Sequence, residues 1–171
     1  MKEHRALILR SNRFLGTALV ERGLVSGDDL ESANEKFMEA IQASDLKRAS
    51  ILSALLFDTK ALEEKALLEL LVEEEGLGLI DLNYVNLPSL RSFNVDLSLC
   101  WVTSTIPFDK VENTYMVASC YGLSLPVIKH WEQLLDGPII WYGTSISSMA
   151  SALERIEEIH EAEDAASEED N

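Results

Sequence analysis

Two groups of residues have types that could perform chemistry, but each lacks the pattern that such chemistry needs. Ser44 and Lys47 match the Ser-x-x-Lys pattern of some acyl-transfer enzymes, yet the companion motifs are missing. Cys100, Cys120 and His130 are zinc-binding types, without any Cys-x-x-Cys or His-x-x-x-His spacing. The sequence also has no Gly-x-x-x-x-Gly-Lys-Ser/Thr phosphate loop. We therefore predict a protein that is not an enzyme and binds no metal.

The chain is strongly acidic. Its 171 residues include 30 Asp and Glu against 14 Lys and Arg, for a formal net charge of −16. Nucleic-acid binding normally needs a basic face that displaces counterions from phosphates, so DNA and RNA are not expected partners. A protein with a basic surface is the electrostatic match, while plain solubility is the alternative explanation of the charge.

No apolar run in the sequence approaches the roughly 18–20 residues needed to span a bilayer. The N-terminal apolar stretch is also too short for a signal-peptide core. We therefore expect a cytoplasmic protein that does not itself insert into a membrane.

Helical periodicity dominates residues 1–78, where we predict a helical subdomain. Gly23 suits the end of a first amphipathic helix, and Ser26 is a typical N-cap for the next one. Further apolar stripes predict helices over 51–56 and 62–75.

Residues 79–160 change to strand-like patterns. The runs 101–108 and 114–121 are rich in β-branched and aromatic residues and predict two paired strands. Ser124 then suits the N-cap of a helix, and a strand over 139–142 and a last helix follow. The order β-β-α-β-α predicts a small α/β subdomain after the helical one, which makes the fold class α+β.

The segment 161–171 carries six acidic residues and no basic one. Its acids repel one another and only alanines are available for burial, so we predict a disordered acidic tail.

The helical subdomain contains an internal repeat at an offset of 37 residues. Residues 14–37 align with residues 51–74, and each unit has the pattern of a helix, a tight break and a second helix. Five aligned pairs are apolar: Leu15–Leu52, Leu19–Leu56, Val25–Leu62, Leu30–Leu67 and Ala33–Leu70. Two such hairpins would bury their stripes against each other. Periodicity alone leaves open a chance similarity between two amphipathic hairpins.

The first unit has a more specific pattern. It resembles the N-terminal domain of type II secretion and type IV pilus assembly ATPases over the run Leu15-Gly16-Thr17-Ala18-Leu19-Val20-Glu21-Arg22-Gly23-Leu24-Val25, followed by Asp29-Leu30 and Ala33. Residues 75–82 are similar to that family's Gly-Leu-Pro-Phe-Val-Asp-Leu passage. The resemblance covers roughly residues 12–160 and implies an accessory domain without its ATPase motor. The chain is then either a free-standing adaptor or a fragment of a larger protein.

Some members of that family bind cyclic di-GMP, with an opening arginine and a closing glutamine in each unit helping to hold it. The aligned opening positions here are Phe14 and Ile51, with Arg13 adjacent, and the closing positions are Phe37 and Glu74. Phenylalanine cannot neutralise a phosphate, and Glu74 would oppose a dianion. The resemblance implies these ligand-binding candidates: Arg13, Phe14, Leu15, Gly16, Leu19, Gly23, Leu24, Leu30, Leu52 and Leu56.

The resemblance implies a non-catalytic interaction module. It would dock to a protein of a secretion, pilus or motility machine at the inner face of the cytoplasmic membrane, because this region of the resembling ATPases contacts a membrane-anchored partner. Glu73 and Glu74 are the candidate contacts with a basic partner surface. The alternative is a cyclic di-GMP receptor domain with a degenerate binding motif, and no other cofactor is expected.

Overall fold

The computed structural model describes residues 4–121 and 124–169. The first part of the chain forms four helices: α1 (Arg5–Glu21), α2 (Gly27–Gln42), α3 (Ile51–Ser53, continued by a π-helical segment over Ala54–Asp58) and α4 (Glu64–Glu73). No strand lies within residues 26–41 or 62–75, all of which the structure describes. The predicted pair of helical hairpins is therefore confirmed.

Local chemistry explains where these helices begin and end. Ser26 caps α2, since its Oγ accepts a hydrogen bond from the Asp29 amide at 3.1 Å. α1 ends at Glu21, and the turn after it contains Gly23, whose φ is +70°; there the Leu24 amide donates a hydrogen bond to the Leu19 carbonyl at 3.0 Å. In the second repeat Lys60 occupies the position of Gly23 and also has a left-handed backbone, with φ +53°.

The second part contains seven further helices and strands, with two 3₁₀ turns over Leu82–Tyr84 and Leu90–Phe93. In chain order they are β1 (Gly78–Leu79), α5 (Leu97–Thr103), β2 (Thr105–Val111), β3 (Thr114–Ser119), α6 (Leu125–Leu134), β4 (Ile139–Gly143) and α7 (Ile146–Glu169). From β2 onward this is the predicted order β-β-α-β-α, and the predicted α+β class is confirmed.

The four strands form one mixed sheet in the order β1-β4-β3-β2. β2 and β3 make an antiparallel hairpin, while β4 runs parallel to β3 with Val117 opposite Trp141. β1 adds to the far side of β4, also in parallel, with Gly78 opposite Tyr142. The sheet therefore combines a strand that follows the helical repeats with three strands from the second half.

The predicted strand over 101–108 is wrong in its first part, because residues up to Thr103 belong to α5. Asp96 caps this helix, since its Oδ1 accepts a hydrogen bond from the Ser98 amide at 2.9 Å. Trp101 and Val102 are buried in the helix, so tertiary packing overrides their strand propensity. The left-handed Ser104, with φ +48°, then turns the chain into β2.

Residues 161–169 of the predicted disordered tail are helical in the structure, while residues 170–171 of that prediction lie outside the described residues. Arg91 lies outside this segment and donates two hydrogen bonds to the carboxylate of Asp164, at 2.7 and 2.9 Å. Ser89 adds a hydrogen bond from its hydroxyl to Glu163 at 3.0 Å. The acidic segment is therefore ordered by partners elsewhere in the chain, which its own composition does not show.

The predicted N-cap at Ser124 is right in position only. Ser124 precedes α6, but its hydroxyl accepts no hydrogen bond from the helix and finds no partner among the described residues. Pro126 lies in the first turn of α6 as expected, where its missing N–H costs nothing.

One hydrophobic core connects the two halves of the chain. The buried cluster includes Leu19 and Leu52 from the repeats together with Val117 and Trp131 from the second half. α1 packs against α2 and α3 on one side and against α5 and α6 on the other. One face of α1 remains uncovered.

Candidate functional site

The uncovered face of α1 is the most distinctive exposed surface of the repeats. Leu15 and Leu19 bury the inner face of the helix in the core. The helical period places four exposed residues together on the outer face, which we call the α1 crest: Arg10, Arg13, Phe14 and Thr17. Phe14 is 51% exposed, so the crest combines a large apolar ring with two guanidinium groups.

A groove of about 490 Å³ runs along one side of the crest, between α1 and α2; we call it the α1–α2 groove. Among its lining residues are Arg13, Gly16, Leu30, Asn34 and Phe37. The helices approach closely at Gly16, where a Cβ atom would stand 2.8 Å from Leu30 Cδ1. Any larger residue would displace the Leu30 side chain, so Gly16 sets the depth of the groove.

A second groove of about 510 Å³, the α1–α6 groove, lies on the other side of the crest. Its lining runs from Arg10 and Phe14 to Glu21 and Arg22 and includes Pro126 at the start of α6. Phe14 also borders a smaller cavity of about 100 Å³, which we call the Phe14 cavity. Apolar side chains form most of its wall: Phe14, Leu15, Ala18, Leu19 and Leu70.

Three polar residues complete the wall of the Phe14 cavity: Tyr121, Arg22 and Glu75. Burial raises the pKa of the Tyr121 phenol, so this group is neutral at physiological pH. Arg22 donates a hydrogen bond from Nε to Glu74 Oε2 at 2.5 Å, and this bond raises the Arg22 pKa against the opposing effect of desolvation. The cavity therefore has a mostly apolar wall that also contains a neutral phenol, a paired cation and the Glu75 carboxylate.

The ten predicted ligand-binding residues lie in different surroundings. Three line the α1–α2 groove: Arg13, Gly16 and Leu30. Three are buried in the core: Leu15, Leu19 and Leu52. Gly23 and Leu24 form the turn that ends α1, Leu56 is half-buried in the second repeat, and Phe14 is on the crest. The structure thus brings Arg13, Gly16 and Leu30 together in one groove and places Phe14 beside Arg13 on the crest.

The two predicted partner contacts, Glu73 and Glu74, have different roles in the structure. Glu73 is the last residue of α4 and is exposed. Glu74 follows it and joins α4 to the end of α1 through the ion pair with Arg22. Glu73 is therefore the more available of the two carboxylates for a partner.

Sequence reasoning missed Asn12, which is buried beside the crest and joins the two repeats. Its Oδ1 accepts a hydrogen bond from the Ile51 amide at 2.7 Å, and its Nδ2 donates to the Ile8 carbonyl at 2.8 Å. The first bond satisfies an amide at the start of α3. An asparagine in the middle of an amphipathic helix, just before the repeat begins, is the signal that could have identified it.

The residues singled out for chemistry have structural surroundings. Lys47 forms an ion pair with Glu157 at 3.0 Å, and this hydrogen bond raises the pKa of Lys47. A lysine that acts as a general base needs a lowered pKa instead. Cys100 and Cys120 are buried, and burial raises both thiol pKa values. Within residues 4–121 and 124–169, no group of three His, Cys, Asp or Glu side chains is arranged to hold a metal ion. No helix in these ranges has the length and apolarity needed to cross a membrane.

No protein-family model and no curated protein matches this chain in sequence. Its fold, however, matches solved structures. The N-terminal domain of XpsE matches in two crystal forms, with TM-scores of 0.52 and 0.56 at 19% and 16% identity. These matches cover 81% and 85% of this chain, and 91% and 94% of the XpsE chains.

A structure of MshE with cdg, cyclic di-GMP, also matches. Its TM-score is 0.50 at 20% identity, over 83% of this chain and 97% of the MshE chain. The chain therefore has the fold of the N-terminal domains of these ATPases, and the resemblance seen in the sequence is confirmed at the level of the fold.

Proposed function

We propose that this protein is a non-catalytic interaction domain that docks to a component of a secretion, pilus or motility machine. The observation that carries the proposal is the α1 crest, an exposed apolar and cationic surface on a fold shared with the N-terminal domain of XpsE. Aromatic and arginine side chains are the residue types that most often dominate binding energy at protein interfaces. We place the docking event at the cytoplasmic face of the membrane, without insertion of this chain into the bilayer.

Site-specific photo-cross-linking in the native cell tests the proposal. A photoreactive phenylalanine analogue replaces Phe14 in one version of the chain and Tyr84 in a control version, since Tyr84 is 90% exposed on a different part of the molecule. We expect a component of such an assembly to be cross-linked from position 14 and not from position 84. Identical products from both positions, or none from position 14, would contradict docking through the crest.

We further propose that the partner presents a basic surface to the end of α4. Glu73 is the exposed contact there, whereas Glu74 has the structural task of holding Arg22. The Glu73→Lys substitution should slow association, and the difference from the unmodified chain should shrink as salt screens charges beyond about 8–10 Å. Stopped-flow association at two salt concentrations measures this, with Glu35→Lys on α2 as a charge-matched control.

A second candidate function is cyclic di-GMP binding, favoured by the α1–α2 groove. This groove presents Arg13 beside Gly16, and the fold is that of MshE, whose structure contains cdg. Two residues argue against tight binding of cyclic di-GMP. Phe14 and Ile51 occupy the positions at which the resemblance implies arginine, and Ile51 is buried. We expect calorimetry to give a Kd no better than roughly 10 μM. A tighter isotherm that Arg13→Ala abolishes would favour the receptor function instead.

A further inference from the structure

Charge is ordered along the α1 crest and the α1–α6 groove. Arg10 and Arg13 lie at one end, and neither forms an ion pair or hydrogen bond within the described residues. Glu21 lies about 16 Å further along the helix than Arg10, at a rise of 1.5 Å per residue. Beside it Arg22 is hydrogen-bonded to Glu74 and also interacts electrostatically with Glu75 and Glu21. This end therefore has three carboxylates around one guanidinium and is net negative.

The basic N-terminal part of this charge order does not serve the stability of α1 itself. A helix prefers acidic side chains near its N-terminus and basic ones near its C-terminus, because of the partial charges at its ends. In α1 the first turn has no acidic residue and Arg5 begins the helix. The arrangement runs against the preference of the helix at this end, whereas at the other end the basic Arg22 is the C-cap and donates a hydrogen bond to the Ala18 carbonyl.

An apolar position lies between the two charged ends. Phe14 is half-exposed there and borders the Phe14 cavity of about 100 Å³, with Leu15 and Leu70 in its wall. A cavity of this size and lining has room for one aliphatic side chain. Insertion would remove both the entering side chain and the Phe14 ring from water, which favours binding.

We propose that the α1 crest docks a charge-polarised amphipathic segment of a partner protein, with acidic residues at one end, an aliphatic anchor in the middle and basic residues at the other end. The acidic end lies over Arg10 and Arg13, the anchor enters the Phe14 cavity, and the basic end faces Glu21 and Glu74. The inference rests on the proposed docking function and adds the chemistry and polarity of the partner.

Charge complementarity selects this partner over simpler ones. A uniformly acidic segment would meet repulsion from the carboxylates around Arg22, and a uniformly basic one would meet Arg10 and Arg13. A segment with acidic residues at one end and basic residues at the other meets the opposite charge at each end. It therefore binds in a single direction. The basic end of the segment also agrees with the proposal that a basic surface of the partner contacts Glu73.

Synthetic peptides of equal composition test the polarity. One peptide of about 14 residues, roughly 21 Å as a helix, carries Glu in one half, Lys in the other and a leucine stripe on one face. The comparison peptide has the same residues with Glu and Lys interspersed, and the same side-chain staple holds both peptides helical. Affinity is measured by titrating the full chain and following backbone amide NMR shifts.

We expect the polarised peptide to bind at least about fivefold more tightly at low salt, with the largest shifts around Phe14. The double variant Arg10→Glu, Arg13→Glu should lose this preference. The control Lys36→Glu, Lys65→Glu makes the same change in net charge at two exposed positions and should keep it. Equal affinities, a preference that survives in Arg10→Glu, Arg13→Glu, or no binding below about 1 mM would overturn the inference.

The cross-linking experiment separates this inference from the proposed function. When Arg10→Glu and Arg13→Glu are added to the chain with the photoreactive residue at position 14, we expect loss of the partner adduct. An adduct that persists in that variant would overturn the charge-polarity inference and leave docking intact. Absence of an adduct in the chain without these substitutions would instead overturn the proposed function.

Discussion

The two helical repeats share a register and differ in their surroundings. Gly23 and Lys60, which are 37 residues apart, both take a left-handed conformation, so the tight break recurs at equivalent positions. Phe14 and Ile51 are also 37 residues apart, yet the Phe14 side chain is 51% exposed and the Ile51 side chain is 0% exposed.

The reason for this difference is location. Phe14 lies on the uncovered face of α1, whereas Ile51 lies at the start of α3, against which α1 and α2 pack. Ser50 and Ser53, in the second repeat, border a pocket of only about 50 Å³ together with Trp101 and Met149. Their counterparts in the first repeat, Arg13 and Gly16, line the open α1–α2 groove. Equivalent positions of the duplicated unit are thus divided between an open groove and the core.

The largest expected effect tests this division directly. Ile51→Ala should lower the free energy of unfolding by about 2–5 kcal/mol, because it leaves a cavity in the core. Phe14→Ala removes a larger side chain but from the surface, and should cost less than about 1 kcal/mol. Urea denaturation of both variants measures the two costs. Equal losses would show that the two positions are not divided between packing and recognition.

The next effect concerns the connection between the repeats. Asn12→Ala should destabilise the fold by about 1–3 kcal/mol, because the buried Ile51 amide loses its hydrogen-bond acceptor. Asn34→Ala, on the exposed side of the α1–α2 groove, should change stability by less than about 0.5 kcal/mol. If both asparagines prove equally tolerant in thermal unfolding, the Asn12 bond does not join the repeats energetically.

Substitutions at the two breaks should have opposite signs. Gly23→Ala places a Cβ on a backbone with φ +70° and should cost about 1 kcal/mol. Lys60→Gly removes the corresponding strain at φ +53° and should stabilise the chain by about 0.5–1 kcal/mol. The denaturation midpoints of the two variants are compared with that of the unmodified chain. Shifts of the same sign would show that the two breaks are not equivalent.

The smallest effect lies outside the repeats, in the sheet. The Tyr115 hydroxyl donates a hydrogen bond to Asp136, which lowers the pKa of that carboxyl below its usual 3.8. A lowered pKa in the folded state means that the stabilisation is present above pH 3.8 and is lost as the pH falls through the lower value. Asp136→Asn should therefore be slightly less stable than the unmodified chain at neutral pH, with a difference that shrinks as the pH falls below 3.8. A pH-independent difference in urea midpoints would point to another cause.

Much of the fold follows from local sequence signals. Ser26, Gly23 and the apolar stripes locate the helices of the repeats because caps and 3.6-residue periodicity act over short distances. α5 was missed because its aromatic and β-branched residues are buried by partners far along the chain. The ordered acidic helix was missed for a similar reason, since Arg91 lies more than 70 residues before Asp164.

The candidate site was less predictable than the fold. The resemblance identified Arg13 and Phe14, and both lie on the α1 crest. It could not show that Leu52 is fully buried, because the same leucine pattern serves the core of either repeat. The Phe14 cavity joins residues from α1, α4 and the segment after β3, and their proximity exists only in the folded chain.

The two-residue strand β1 has a mechanical consequence. The chain leaves the repeats at Leu77 and directly enters the sheet, where Leu79 is opposite Gly143 and the Ile80 amide donates to the Gly143 carbonyl at 2.9 Å. The connection between the two halves is therefore a hydrogen-bonded strand and not a hinge. Because β1 is hydrogen-bonded to β4 and the two halves share one hydrophobic core, a displacement of α1 would also displace the sheet.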